Sequence, residues 1–239
     1  MLSLLDALAR RVQDPVPMPD SNVPTNSPAM PEAVIFDFDG TLADTIPTAL
    51  IVTNEIGPMF GMEHISDELA EELRGMPLKQ VISRVGLKPR KIPQFQIELR
   101  RRMRDRVSTL PTFPGVEKAL GVLQGTGVKL GILSSNTREN VEAFLSSHGM
   151  RDYFGFVEGG SSLFGKARHL RRIIKTELGG LTAKSIVYVG DETRDIEAAK
   201  KVGALSAGVT WGVARQQVIA AASADFIFDS PQGLETLVR

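Results

Sequence analysis

The sequence predicts an α/β fold: a parallel sheet covered by helices on both faces, with an all-helical insertion after the first strand. Three observations carry that expectation. Short continuous apolar runs at 33–36, 128–133, 185–189 and 204–209 alternate with stretches of helical spacing, as in sheets whose strands are buried on both faces. The polar clusters of the chain fall at or just after the carboxyl ends of those runs, where ligands bind in such sheets. Between 45 and 111 the strand pattern stops and only helical spacing is found.

In chain order, residues 1–12 place Leu2, Leu5, Leu8, Ala9 and Val12 at helical spacing, which predicts a short amphipathic helix. No secretory core and cleavage site follows, so a helix that packs on its own protein is preferred to a targeting peptide. Residues 14–31 hold six prolines among Ser, Asn and Asp, the composition of an extended linker. Leader and linker together are assigned to 1–31, and the folded part is expected to begin near Glu32.

The run Ala33-Val34-Ile35-Phe36 leads straight into Asp37-Phe38-Asp39-Gly40-Thr41-Leu42. A strand has a side-chain period of two, so Asp37 and Asp39 leave on one side and Phe36 and Phe38 on the other. Two carboxylates so close are costly unless a cation or a shared proton offsets them. A metal site, a proton-shuttling pair, or both would satisfy that. A plain Asp-Gly turn would account for Asp39 but not for Asp37.

The insertion, assigned to 45–111, carries apolar stripes at Ile46, Leu50 and Ile51, at Leu69 and Leu73, at Val81, Ile82 and Val85, and at Ile92, Phe95, Leu99, Met103 and Val107. These predict four helices with a core of their own. The arginines from Arg100 onward lie opposite the last stripe, so they are read as a solvated face rather than a field that steers an anion.

The remainder alternates. Helices are expected at 116–124, 137–147, 166–178 and 193–202, and strands at 128–133, 156–157, 185–189, 204–209 and 226–228. Ser134-Ser135-Asn136 follows one strand, and a hydroxyl with backbone N–H groups there suits an oxyanion, with helix capping as the alternative. Gly190-Asp191 ends another strand, and Asp195 lies one helical turn on, so both carboxylates can point back to one ion. Oxygen ligands with open positions suit Mg²⁺.

Asp-Phe-Asp-Gly-Thr-Leu after a short strand, followed in order by Ser134, Lys166 and Gly190-Asp191 with Asp195, resembles the four motifs of the haloacid dehalogenase (HAD) superfamily. The resemblance spans nearly all of the chain after the leader. It implies a Rossmann-like catalytic core at 32–44 and 112–239, with the insertion as a helical cap that closes over the site. Asp37 would be the nucleophile, forming an aspartyl phosphate. Asp39 would give a proton to the leaving alcohol and later take one from water. Family members that cleave carbon–halogen bonds, or that transfer phosphate from ATP, lack that second acid, so phosphate esters are expected. Ser134, with Ser135, Asn136, Gly40 and Thr41, would bind the phosphoryl group, and Lys166 would offset its charge. Mg²⁺ would be held by Asp37, the backbone carbonyl of Asp39 and Asp191, with Asp195 direct or through water. In capped relatives a loop between cap helices reaches the pocket, which points to Arg74 in Arg74-Gly75-Met76-Pro77. Among those relatives the phosphoglycolate phosphatase type supplies the substrate expectation.

Composition narrows the partners. The 28 basic and 28 acidic residues cancel, which gives no case for nucleic acid or an anionic membrane. No apolar run reaches the ~20 residues of a membrane span. There is no cysteine, which excludes thiolate chemistry and fits a cytoplasmic protein acting on a small phosphorylated metabolite. Three rivals remain. A sugar phosphomutase would use the same four motifs, and a catalytically idle binding module would keep the scaffold alone. Gly160-Ser161-Ser162-Leu163-Phe164-Gly165-Lys166-Ala167 nearly spells a nucleotide-binding phosphate loop, although Ala167 stands where a hydroxyl is needed. Lys166 discriminates: it meets Asp37 and Asp191 in the phosphatase reading and lies away from them in the phosphate-loop reading.

Overall fold

The computed structural model describes residues 30–73, 78–160, 165–214 and 216–239. The expected leader and linker therefore lie outside the described residues except for their last two positions. Among the described residues six strands form one sheet: β1 (Ala33–Phe36), β2 (Lys129–Leu133), β3 (Phe156–Glu158), β4 (Ile186–Gly190), β5 (Leu205–Val209) and β6 (Phe226–Phe228). Their order is β3-β2-β1-β4-β5-β6, and every pair is parallel. β1 is the centre, with Phe36 level with Ile132 of β2 on one side and Val189 of β4 on the other. The chain order reverses at β1, and the crevice beyond its carboxyl end is where this topology leaves room for a ligand.

The helices are α1 (Ile46–Phe60), α2 (Asp67–Leu73), α3 (Leu78–Arg84), α4 (Ile92–Arg104), α5 (Val116–Gly125), α6 (Arg138–Ser147), α7 (Lys166–Thr176), α8 (Thr193–Val202) and α9 (Gln216–Ala221). All four residues of β1 are buried, as a strand covered on both faces requires. Val34, Phe36 and Phe38 pack on one face with Leu120 of α5 and Phe144 of α6, and the Phe38 and Phe144 rings meet edge to face at 5.0 Å. Ala33 and Ile35 face the other way, with Tyr188, Leu170 and Ile173 of α7 and Ala199 of α8. Strand boundaries fall within a residue of expectation, and α7 stops at Thr176 rather than at residue 178.

Helices α1–α4 close a separate cluster around Val52, Ile56, Phe60, Leu73, Val81, Val85, Phe95 and Leu99. Phe60 and Phe95 meet edge to face at its centre, with centroids 5.4 Å apart. Three expected stripe positions depart from the cluster: Val107 packs in the sheet's own core, Ile46 pairs with Val213, and Ile51 is turned outward. Ile51 is 55% exposed, and the buried face of α1 runs through Ala49, Val52, Thr53, Ile56 and Phe60. At about 100° per residue, Ile51 lies about 200° around the helix from Ala49. The basic run faces solvent and is paired within its own unit: Arg101 and Arg102 with Glu98 at 2.7 and 2.9 Å, Arg106 with Glu55 at 2.7 Å. The chain leaves the sheet and returns to it at one place, where the Asp44 N–H donates to the Pro111 carbonyl at 2.9 Å and Ala43 bridges Thr112. Among the described residues no helix is long and apolar enough to cross a membrane.

Phe95→Ala, which empties the middle of the helical cluster, is expected to lower the unfolding free energy by about 3–5 kcal/mol in denaturant titration. A loss below about 1 kcal/mol would show that α1–α4 do not share this core.

Candidate active site

Four segments far apart in sequence meet beyond the carboxyl ends of β1, β2 and β4. Asp37 follows β1 directly, and its N–H extends the ladder by donating to the Val189 carbonyl at 2.8 Å. Its Oδ1 accepts from the Phe38 N–H at 2.8 Å, and its Oδ2 accepts from Lys166 Nζ at 2.5 Å. Lys166 opens α7, and the same Nζ donates to Asp195 Oδ1 at 2.5 Å. All three side chains are buried. Burial pulls the lysine toward the neutral form, but Asp195 and Asp37 outweigh it and hold its pKa well above the usual range.

The sequence placed Lys166 beside Asp37 and Asp191; the structure places it beside Asp37 and Asp195. Asp191 is turned the other way. Its Oδ2 accepts from the Val213 N–H at 2.7 Å and its Oδ1 from the Thr41 hydroxyl at 3.2 Å. Asp195, one turn into α8, instead points back under Lys166. Its Oδ2 accepts from the Glu192 N–H at 3.1 Å, and Glu192 caps α8 in the reciprocal arrangement of a capping box. Because Lys166 is held by two carboxylates of the sheet end, it is not disposed to cradle a nucleotide, and the phosphate-loop rival loses its lysine. Ser161 to Phe164 of that stretch lie outside the described residues, as does Arg74.

Thr41 was expected to face a substrate. Its hydroxyl is instead given to Asp191, and the residue is buried. Gly40, also expected at the substrate, serves close approach. Its φ is +80°, and an added Cβ would lie 2.2 Å from Asp191 Oδ2. Asp39 is half-buried, with the Asn136 amide donating to its two oxygens at 3.5 and 3.4 Å. Burial, then the charge of Asp37, pushes its pKa up to about 6.

Ser134 is fully buried at the end of β2, its N–H donating to the Glu158 carbonyl at 2.9 Å. Its Oγ accepts from the Asn136 N–H at 2.9 Å, which leaves the hydroxyl proton to be donated. Ser135 is half-buried beside it. The cap of α6 is Thr137, accepting from the Asn140 N–H at 3.3 Å, so Asn136 is not the capping residue. Its side-chain oxygen accepts from Thr137 N and Asn140 Nδ2, which aims its amide at Asp39.

Sequence reasoning passed over several neighbours. Tyr188 lies beneath the lysine, its hydroxyl donating to the Leu133 carbonyl at 3.2 Å and its ring centroid 5.8 Å from Lys166 Nζ. Arg194 pairs with Glu192 at 2.5 Å at the edge of the acid cluster. Gly212 and Val213, in the loop after β5, close over Asp191. A glycine just past a buried strand was the available signal for that loop.

Carboxylate oxygens of Asp37, Asp191 and Asp195 all lie within 4.8 Å of one another. Burial and neighbouring acids raise the pKa of Asp191 well above the usual carboxylate range and that of Asp195 to about 6, so Lys166 alone does not balance the three acids. An all-oxygen set of this kind fits a hard divalent cation and offers nothing to a soft one.

The profile of the family described as "Haloacid dehalogenase-like hydrolase" matches residues 34–209. The chain is similar to a phosphoglycolate phosphatase of Synechococcus elongatus, 38% identical over 203 residues that cover 85% of this chain and 95% of that protein. It is also similar to a phosphoglycolate phosphatase of Neisseria meningitidis, 28% identical, with 76% and 81% covered. Among solved structures, a haloacid dehalogenase-like family hydrolase from Streptococcus pneumoniae superposes with a TM-score of 0.73 at 20% identity, covering 88% of this chain and 99% of that one.

Lys166→Met would leave Asp37 and Asp195 buried without the ammonium they share. We expect the metal-free variant to lose about 3–5 kcal/mol of unfolding free energy near neutral pH. Unchanged stability in denaturant titration would mean that the lysine does not offset these two acids.

Proposed function

The chain belongs to the haloacid dehalogenase-like hydrolase family and is a phosphatase, and we propose that it hydrolyses a small phosphorylated carboxylate, phosphoglycolate foremost, through a phosphoaspartate on Asp37. The observation that carries this reading is the junction of Asp37 and Lys166 at 2.5 Å, with Asp191 in the same buried cluster and Asp39 two residues on. It puts a carboxylate, a fixed cation and a second acid with a raised pKa at one sheet end.

In the proposed reaction a carboxylate oxygen of Asp37 attacks phosphorus, and the bond to the leaving oxygen breaks as Asp39 protonates that oxygen. Asp39, now a carboxylate, takes a proton from water as the water attacks phosphorus. The phosphorus–Asp37 bond breaks, and inorganic phosphate leaves. A pKa near 6 suits both duties close to neutral pH. Ser134 donates its hydroxyl to a phosphoryl oxygen, with Ser135 beside it, while Asn136 orients Asp39. Lys166 offsets charge on the phosphoryl group.

Phosphatases of this family use a divalent metal, and the acid cluster can accept one. We assign Mg²⁺ to Asp37, Asp191 and the backbone carbonyl of Asp39; bound there, it would offset charge on the transferring phosphoryl group. Asp195, in the same cluster and bonded to Lys166, is assigned to the ion directly or through water. The helical unit at 45–111 is read as a cap on the core of 32–44 and 112–239 that excludes water from the reacting group. The name of the Synechococcus relative supports the substrate. A cytoplasmic location is proposed with it, in keeping with a chain that has no cysteine.

A screen of phosphate esters, with and without Mg²⁺ and including glucose phosphates, tests the reading. Phosphoglycolate is expected to be turned over fastest, with release of inorganic phosphate only when a divalent cation is present. Interconversion of glucose phosphates without phosphate release would establish a mutase instead. Asp37→Asn is expected to abolish turnover while circular dichroism stays native, and Asp39→Asn to slow it by about 10²–10⁴-fold. Near wild-type turnover in Asp37→Asn would remove the nucleophile assignment.

A further inference from the structure

The loop at 210–214 has no part in the chemistry above, yet it touches the segments that do. Both oxygens of Asp191 are held from outside its own loop, Oδ1 by the Thr41 hydroxyl at 3.2 Å and Oδ2 by the Val213 N–H at 2.7 Å. Thr41 and Val213 come from opposite ends of the sequence, and Trp211 joins their segments. Its indole Nε1–H donates to the Thr41 carbonyl at 3.1 Å. Gly212 follows with no side chain because a Cβ there would lie 2.3 Å from the Gly40 carbonyl oxygen and 2.4 Å from Asp191 Cβ.

The same loop touches the chain at both crossings between the sheet and the helical unit. On the outward crossing, Val213 forms a buried apolar pair with Ile46, the first residue of α1. On the return crossing, the Trp211 ring lies against Phe113 with centroids 6.4 Å apart. Displacing either crossing therefore pulls on a segment that fixes one oxygen of Asp191.

We propose that Trp211 is a positioning residue that joins the crossings of the helical unit to Asp191, so that this carboxylate takes its ligating position only while the unit is seated on the sheet. The inference rests on the reading of Asp191 as a metal ligand, and it extends that reading to a residue outside the acid cluster.

Trp211 is the chain's single tryptophan, so its emission reports from this one place. In the wild-type protein, Mg²⁺ binding followed by calorimetry and tryptophan emission are expected to share one midpoint. Trp211→Phe keeps an aromatic ring against Phe113 and removes the donor to Thr41. It is expected to weaken Mg²⁺ binding in calorimetry by about 10-fold, as for groups that orient a metal ligand, with turnover recovering as Mg²⁺ is raised. Emission that stays flat through calorimetric saturation would overturn the proposal, and so would wild-type Mg²⁺ affinity in Trp211→Phe. The emission experiment needs no variant and decides the matter even if Trp211→Phe fails to fold. Asp191→Asn separates the two readings. If it binds Mg²⁺ as the wild type does, the metal-site assignment fails and the inference falls with it; if only Asp191→Asn loses the ion, the coupling alone is wrong.

Discussion

Crowding of like charge at one end of a buried sheet is the constraint on which the rest of this structure depends. Two carboxylates about 4 Å apart repel by about 4 kcal/mol at an effective dielectric of about 20, and here Asp37, Asp191 and Asp195 converge. The protein answers first with geometry. One lysine is shared at 2.5 Å by Asp37 and Asp195, and Asp191 is given a hydroxyl and a backbone N–H. These donors do not cancel the cost of crowding: burial first, and the charge of Asp37 after it, still push the pKa values of Asp39 and Asp195 up to about 6. The remaining deficit of positive charge makes the site a receptor for a divalent cation rather than merely an acidic surface.

The fold supplies the convergence at little cost. Parallel strands in level register bring the ends of β1, β2 and β4 side by side, so side chains just beyond them become neighbours without long loops. Two glycines then admit an approach that other residues would block: Gly40 and Gly212 lie against the Asp191 side chain, and a Cβ on either would overlap it. Tyr188 and the apolar residues of the lower face keep water from beneath the lysine, which strengthens each charged contact above it.

Much of this was legible in the chain. Four continuous apolar runs foretold strands buried on both faces, and a period of two foretold that Phe36 and Phe38 would share one face. What could not be read was the direction of side chains that leave from turns. Lys166 sits at the first turn of its helix, and nothing in the spacing says whether it reaches Asp191 or Asp195; packing of α7 against α8 decides it. Thr41 follows the same rule, since a hydroxyl one residue past a glycine can face either a ligand or a neighbouring acid. The 210–214 loop was invisible for a different reason. It has no periodicity, and its role comes from which strand lies next to β4, a fact of topology that no local pattern carries. Ile51 shows the limit in a helix, where a single residue off phase turns an apolar side chain to solvent.

The chain departs from the sheet and re-enters it side by side, with the Asp44 N–H on the Pro111 carbonyl. A segment spliced at such a doorway leaves strand pairing undisturbed whatever its length, since its ends are already together. The module can therefore be lengthened, shortened or rebuilt on its far side without unpairing a strand, while the residues at its two crossings stay answerable to the sheet.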